Sequence, residues 1–409
     1  MQRDELEGLI PEFKERGIDL NLQRMRIALK AMGEPCKYIP AIQIAGTNGK
    51  GSIASFLKSS LNVLGIKAGI TTSPHLVSWC ERICTNGEFI SLDDFRRRLI
   101  VLKPLIDRYQ LTPFESIIAV ALDHFRSQQV ELLVLEVGLG GRLDATTAHP
   151  FRPIIAMAGV GLDHCEYLGK TLNAIAKEKA SIIQPNSIVI SAKQHSEVEK
   201  VLKSIATKQN ATLQFVTPLS NDWDLGLAGG IQKQNAAVAK GVLEALRKYG
   251  WKIEEHQIRK GLAHAKWPGR LEEASWRGMS LLIDCAHNPH ATEQLSLERT
   301  QWSGQETGIA WILAIQKQKD GSAMLKSLLK PSDLAWIVPV PSHTSWTEKE
   351  LSNRCPNYSS QLRTALNAEE ALTMILLEDK SHVPIPVITG SIYLIGDLIK
   401  RKVIQLKKH

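Results

Sequence analysis

Lys50 and Ser52 stand among three glycines in the run Ile42-Gln-Ile-Ala-Gly-Thr-Asn-Gly-Lys-Gly-Ser52, and such a grouping can handle phosphate. Backbone N–H groups of a glycine-rich turn face inward, the following helix adds positive potential at its N-terminus, and the lysine supplies a full charge. Gly46, Thr47, Asn48, Gly49, Lys50, Gly51 and Ser52 would then cradle a triphosphate, ATP being the natural occupant. The alternative is a loop that is tight only because of its glycines. The run departs from the common Gly-x-x-x-x-Gly-Lys-Ser/Thr pattern: Ile44 occupies the first glycine position and Gly51 separates Lys50 from Ser52.

Three more polar groups end apolar runs that read as strands. Leu132-Leu-Val-Leu-Glu136 closes on a carboxylate before Val-Gly-Leu-Gly-Gly-Arg-Leu-Asp144. A hard oxygen ligand on a rigid mount near phosphate is what Mg²⁺ requires. Ser73, in Thr72-Ser-Pro-His-Leu76, follows the strand 67–71 and is placed either to reach a cation or simply to turn the chain. His164 ends the run 153–160 through Gly161-Leu-Asp163 and shares that position type, so a metal role is favoured over a structural one. Lys179, on a helix expected over 171–183, is by default solvated.

The elements that must position these groups follow from spacing. Ile53, Phe56, Leu57, Leu61 and Leu64 give a helix after the glycine loop, with Gly65 closing it. Strand, loop, helix and strand of this length predict a right-handed crossover and a parallel sheet, with ligands at the carboxyl ends of its strands. Asn86-Gly87 signals a hairpin and Ser91-x-x-Asp94 a helix start running to about Tyr109. Thr112-Pro-Phe-Glu115 opens another helix. Strands near 187–191 and 213–216 bracket a helix, and 232–249 is a long alanine-rich helix. Trp267-Pro-Gly-Arg-Leu-Glu272 breaks the pattern. Residues 267–279 are therefore expected to link an ATP-binding domain (1–266) to a second α/β domain (280–409), with strands at 281–285, 310–315, 334–338 and 385–389.

The 409 residues carry a formal charge of +8, which suits anionic ligands, although Lys400, Arg401, Lys402, Lys407 and Lys408 crowd into the tail. No basic and aromatic stripe points to nucleic acid, and no apolar run is long enough for a membrane helix. Six scattered cysteines show neither a zinc pattern nor a disulfide framework. The expectation is a cytoplasmic globular protein.

The ordered set of motifs resembles folylpolyglutamate synthase and its bifunctional form with dihydrofolate synthase activity, of the Mur ligase superfamily. It comprises Gly46–Ser52, Thr72–Leu76, Leu135–Thr146, Leu162-Asp-His164, Glu178-Lys-Ala180, Trp267–Glu272, Asp284-Cys-Ala-His-Asn-Pro289 and Gly390-Ser391. The resemblance implies an N-terminal P-loop ATPase-type domain with a mainly parallel sheet and a smaller, Rossmann-like C-terminal domain. It implies that Lys50 and Ser52 hold phosphate and Mg²⁺, that Ser73, Glu136 and His164 are metal ligands, and that Lys179 becomes a carbamate that also ligates. Asn235, Arg270 and Asp284 would contact nucleotide, and His287 the incoming glutamate. Phe114 would pack on a pteridine ring or in the core. A monomer is implied.

The implied reaction is ATP-dependent amide formation. A folate or dihydropteroate carboxylate attacks the γ-phosphate, and the amine of L-glutamate displaces phosphate from the acyl phosphate. Two other readings stay open: a Mur-type ligase acting on a cell-wall precursor, and a nucleotide-driven switch protein. Thr147, Ile231 and the stretch Leu313–Asp320 depart from the family pattern, the first on the folate side and the last on the second domain's ligand face.

Overall fold

The computed structural model describes residues 6, 8–11, 19–302, 308–377 and 385–407. The chain divides into two units, Met1–Gly226 with Gln232–Lys266, and Leu227–Ile231 with Trp267–His409. Ahead of the first strand the described residues form the helix Leu22–Ala31, capped by Asn21.

The first unit is built on an eight-stranded sheet: β1 (Ala41–Ala45), β2 (Ala68–Thr71), β3 (Ile83–Thr85), β4 (Glu88–Phe89), β5 (Leu132–Glu136), β6 (Ile154–Met157), β7 (Ile188–Ser191) and β8 (Thr212–Phe215). Their order is β4-β3-β2-β5-β1-β6-β7-β8. From β2 to β8 every pairing is parallel, as fully apolar runs such as Leu132–Leu135 require when both sheet faces are covered. The hairpin of β3 and β4 turns at Asn86 and Gly87, both with positive φ. Register aligns the strand ends: Ile44 lies opposite Glu136, Ala45 opposite Met157, and Thr71 opposite Leu135. The loops after β1, β2, β5 and β6 therefore leave one edge of the sheet together.

Helix starts follow the local chemistry. Ser91 caps Leu92–Arg108, and Thr112 with Glu115 forms a reciprocal capping box for Pro113–Ser127, with the proline at the first turn, where no amide hydrogen is needed. Thr171 caps Leu172–Ala180. One buried cluster includes Met25, Phe95, Phe125, Leu133 and Leu135, and another Ile155, Met157, Ile175, Val198 and Leu202.

The second unit is a seven-stranded sheet of β9 (Glu272–Trp276), β10 (Met279–Ile283), β11 (Ile309–Leu313), β12 (Leu334–Ile337), β13 (Leu362–Thr364), β14 (Ile385–Thr389) and β15 (Gln405–Leu406), in the order β13-β12-β11-β14-β10-β9-β15. It is parallel from β13 to β10. β9 falls within the stretch expected as linker. It pairs antiparallel with β10 through a turn at Arg277 and Gly278, both with positive φ. The polar sequence Glu-Glu-Ala-Ser-Trp hides this strand because only Ala274 and Trp276 are buried. In the core, the buried Asp333 carboxylate accepts two bonds from Arg299 (2.5 and 2.6 Å) and others from the Ile309 and Lys330 amides and the Trp311 indole. Its charge is thus compensated inside apolar surroundings.

Candidate active site

The loop after β1 runs straight into the helix Lys50–Val63, whose N-cap is Gly49 at φ 94°, a left-handed conformation that favours glycine. Being glycine, this N-cap supplies no side-chain bond to the first turn. Its first-turn N–H groups lack intrahelical acceptors by construction, so the terminus presents donors of the kind an anion accepts, with Lys50 at its first position. A Cβ on Gly49 would stand 2.4 Å from Asn235 Oδ1 and one on Gly46 2.6 Å from the Ala158 Cβ. Both glycines are there for close approach. Asn235 is buried and donates to Gln232 Oε1 at 3.0 Å.

The start of the loop is tied to the segment after β6. The Thr47 and Asn48 amides both donate to Gly159 O, at 2.8 and 3.3 Å. The Thr47 hydroxyl donates to Gly161 O and accepts from Gly161 N. These two amides therefore brace the loop, and the donors aimed at an anion begin with the helix itself.

Lys50 Nζ donates to Gly46 O and Thr47 O at 3.3 and 3.2 Å, and Lys179 Nζ donates to the same Gly46 O at 2.9 Å. Lys179 is 5% exposed, against the solvated default for a charged helical residue. It is buried because its helix packs on the glycine loop after β5: a Cβ on Gly141 would stand 2.6 Å from Glu178 O and 3.2 Å from Lys179 Cα. Burial first, and the neighbouring Lys50 charge second, pull the Lys179 amine down from 10.5 to about 7. Glu178 points elsewhere, to Arg142 at 3.0 Å.

Glu136 is buried at the end of β5, and its Oε2 accepts from Ser73 N at 3.1 Å. Ser52 is buried within the first turn of the helix that follows the glycine loop. His164 takes a left-handed backbone conformation, and its ring nitrogens lie 3.9 Å from carboxylate oxygens of Asp163 and Glu166. Among the described residues no three or more His, Cys, Asp or Glu side chains gather to hold a metal ion. Phe114 packs against the core cluster that includes Phe125, and it leaves no room for a Cβ on Gly138, which would stand 2.7 Å from its Cζ.

Asp144 emerges as an organiser that residue types alone do not single out. Its buried carboxylate accepts from the Gly138 and Leu139 amides (2.9 and 3.0 Å) and from the Thr146 amide and hydroxyl (3.0 and 2.5 Å). The Asp-Ala-Thr spacing was its signal, since Asp readily bonds backbone two residues on. Thr147, a departure from the family pattern, donates to Gly141 O at 2.7 Å and accepts from Gln43 on β1 at 2.8 Å. The hydroxyl thus completes the loop's bracing.

In the second unit, Asp284 follows β10 and accepts from Leu271 N at 2.9 Å and Ala286 N at 2.8 Å. Burial pushes its carboxyl up, and Arg270 opposes that shift. Among the described residues the buried Arg270 Nε has no hydrogen-bond partner. His287 Nδ1 lies 2.8 Å from Cys285 O. In the stretch Leu313–Asp320, Asp320 caps the helix Gly321–Leu328 and Lys317 pairs with Glu350 over the Trp346 ring.

A family model described as "Dihydrofolate synthetase, C-terminal domain" matches residues 269–401. The chain is 32% identical over 405 residues to folylpolyglutamate synthase of Lacticaseibacillus casei, covering 91% of this chain and 92% of that one. It is 30% identical over 368 residues to dihydrofolate synthase/folylpolyglutamate synthase of Escherichia coli K12, covering 86% and 85%. The solved structure of Escherichia coli FolC in complex with DHPP and ADP matches with a TM-score of 0.84 at 26% identity, over 97% of this chain and 95% of that one.

Proposed function

Because the chain belongs to the folylpolyglutamate synthase/dihydrofolate synthase family, we propose that it joins L-glutamate to a folate, and also to dihydropteroate, through an acyl phosphate. It is an ATP-dependent, amide-forming ligase of the folate type. The observation that carries this in the geometry is the glycine-started helix terminus at Lys50 beside the strand that ends in Glu136.

In the first step the acyl carboxylate oxygen bonds the γ-phosphorus and the bond to the ADP oxygen breaks. In the second, the glutamate nitrogen bonds the acyl carbon, phosphate leaves with the carboxylate oxygen, and the amine gives up its proton. The chain's part is to position and to neutralise charge. A phosphate oxygen is a better acceptor for Lys50 than the two neutral carbonyls it now meets, since it carries the opposite charge. The helix amides take the same oxygens.

Mg²⁺ fits the donors present: Glu136, Ser52, Ser73 and His164 offer one buried carboxylate, two hydroxyls and an imidazole near a phosphate site, and Mg²⁺ is ordinarily held by one or two carboxylates with substrate phosphates. When bound, it would neutralise developing charge on the transferred group. We also read Lys179 as a carbamate. Its neutral nitrogen would bond the carbon of CO₂ and release a proton, and the depressed amine makes that neutral form available. Lys179→Ala should then lose activity and regain part of it with added short carboxylates. Asn235, Arg270 and Asp284 are assigned to nucleotide, His287 to glutamate and Phe114 to the pterin side. We take the protein as a monomer, and as cytoplasmic in keeping with six cysteines that form no disulfide. No described helix is long and apolar enough to cross a membrane.

Phosphate release measured across dihydropteroate, reduced folates and glutamate tests the reading. It predicts release that needs ATP, glutamate and one pterin acid together. Release triggered by a protein partner alone would favour the switch reading, and release with a cell-wall precursor the Mur-type one.

A further inference from the structure

The loop joining β2 to β3 is closed on itself. Thr72 N donates to Arg82 O at 3.2 Å and the Thr72 hydroxyl to Glu81 O at 3.1 Å. Inside this ring the Glu81 carboxylate accepts from three successive amides, Leu76 at 2.7 Å, Val77 at 2.8 Å and Ser78 at 2.7 Å. A capping box would need only the Ser78 bond. The other two make a nest of amides around an anion supplied by the chain itself. Arg82 secures the opposite wall, donating from Nε to His75 Nδ1 at 2.9 Å and stacking 4.4 Å from the Trp79 ring centre. Ser73 leaves this same ring to hold Glu136.

We propose that Glu81 is a positioning residue for the ligase reaction: its carboxylate sets the 73–82 loop so that Ser73 N stays on Glu136 and the divalent-cation site keeps its shape. The inference rests on the reading of Glu136 and Ser73 as cation ligands. Three charge-assisted bonds from one carboxylate to consecutive amides fix the loop far more firmly than neutral contacts would. Glu81→Gln keeps the size, removes the charge and turns an NH₂ toward at least one of the three amides, so the clasp opens without emptying the loop.

The test uses the full chain with ADP and two readouts other than activity. One is amide hydrogen exchange over residues 73–82. The other is Mn²⁺ binding counted by the electron paramagnetic resonance of free Mn²⁺. Glu81→Gln should speed exchange at Leu76, Val77 and Ser78 at least tenfold and weaken Mn²⁺ about tenfold, with ADP affinity in the absence of metal unchanged. Faster exchange with wild-type Mn²⁺ binding would make Glu81 purely structural and overturn the proposal, as would unchanged exchange. Glu136→Gln separates the two readings: if it binds Mn²⁺ as wild type does, the cation assignment itself fails. Should Glu81→Gln not fold, Thr72→Val, which removes only the hydroxyl bond to Glu81 O, must move both readouts together; either moving alone overturns the proposal.

Discussion

Lys50 and Lys179 hydrogen-bond to one acceptor, the carbonyl oxygen of Gly46, from 3.3 and 2.9 Å. Two ammonium groups on one neutral oxygen would repel, and the structure relieves this by burying one of them until its amine lies near neutrality. Lys50 keeps its place at the mouth of the helix. In the proposed reaction the pair would divide the work, with Lys50 for phosphate and a buried, titratable lysine behind it.

Lys50→Ala should abolish turnover while leaving the fold intact. On the proposed reading the residue works through its charge, and it bonds loop carbonyls of its own turn; losing a charge partner in a transition state costs about 3 kcal/mol, or more than a hundredfold in rate. Steady-state phosphate release and a melting curve check this. Activity within about tenfold of wild type would remove Lys50 from the mechanism.

Gly49→Ala should weaken ATP at least tenfold and lower the melting temperature. The new Cβ meets Asn235 Oδ1 at 2.4 Å in a backbone conformation that costs L residues roughly 1–2 kcal/mol. The double variant with Asn235→Ala relieves the clash but not the backbone strain, so it should recover part of the lost melting temperature but not the ATP affinity, since Asn235 is itself assigned to the nucleotide. Calorimetric ATP binding decides the matter, and wild-type affinity in the single variant would count against the loop geometry.

Lys179 gives stability a pH dependence of known sign. In the unfolded chain the amine holds its proton up to about 10.5, whereas in the fold it lets go above about 7. Between these values the unfolded state binds more protons, so stability rises with pH, and the burial penalty is fully present below about 7. Compared with Lys179→Met, in metal-free and CO₂-depleted buffer, the wild type should gain about 1.4 kcal/mol per pH unit between pH 7.5 and 9.5. Denaturant unfolding at several pH values measures it, and a difference that stays flat would contradict the burial argument.

Strands with wholly apolar runs were legible from residue types, as Leu132–Glu136 shows, because both sheet faces are covered and nothing interrupts the pattern. The glycine loop and its helix were equally plain. β9 and β13 were not, since strands near a sheet edge tolerate polar residues and leave only one or two buried side chains as a signal. At the site, sequence offered the groups that could do chemistry but not those that hold them. Glu81, Asp144 and Thr147 act through backbone amides and carbonyls, and a residue that bonds backbone looks from sequence like any turn former. Burial of Lys179 was likewise invisible, because it depends on Gly141, far away in the chain, admitting a helix backbone.

The acyl phosphate is tested most directly by following an oxygen. With ¹⁸O in the carboxylate of dihydropteroate or a folate, the account predicts one labelled oxygen in the released phosphate for each amide formed, since that oxygen bonds phosphorus in the first step and leaves with it in the second. Glutamate-dependent product formation with unlabelled phosphate would contradict it.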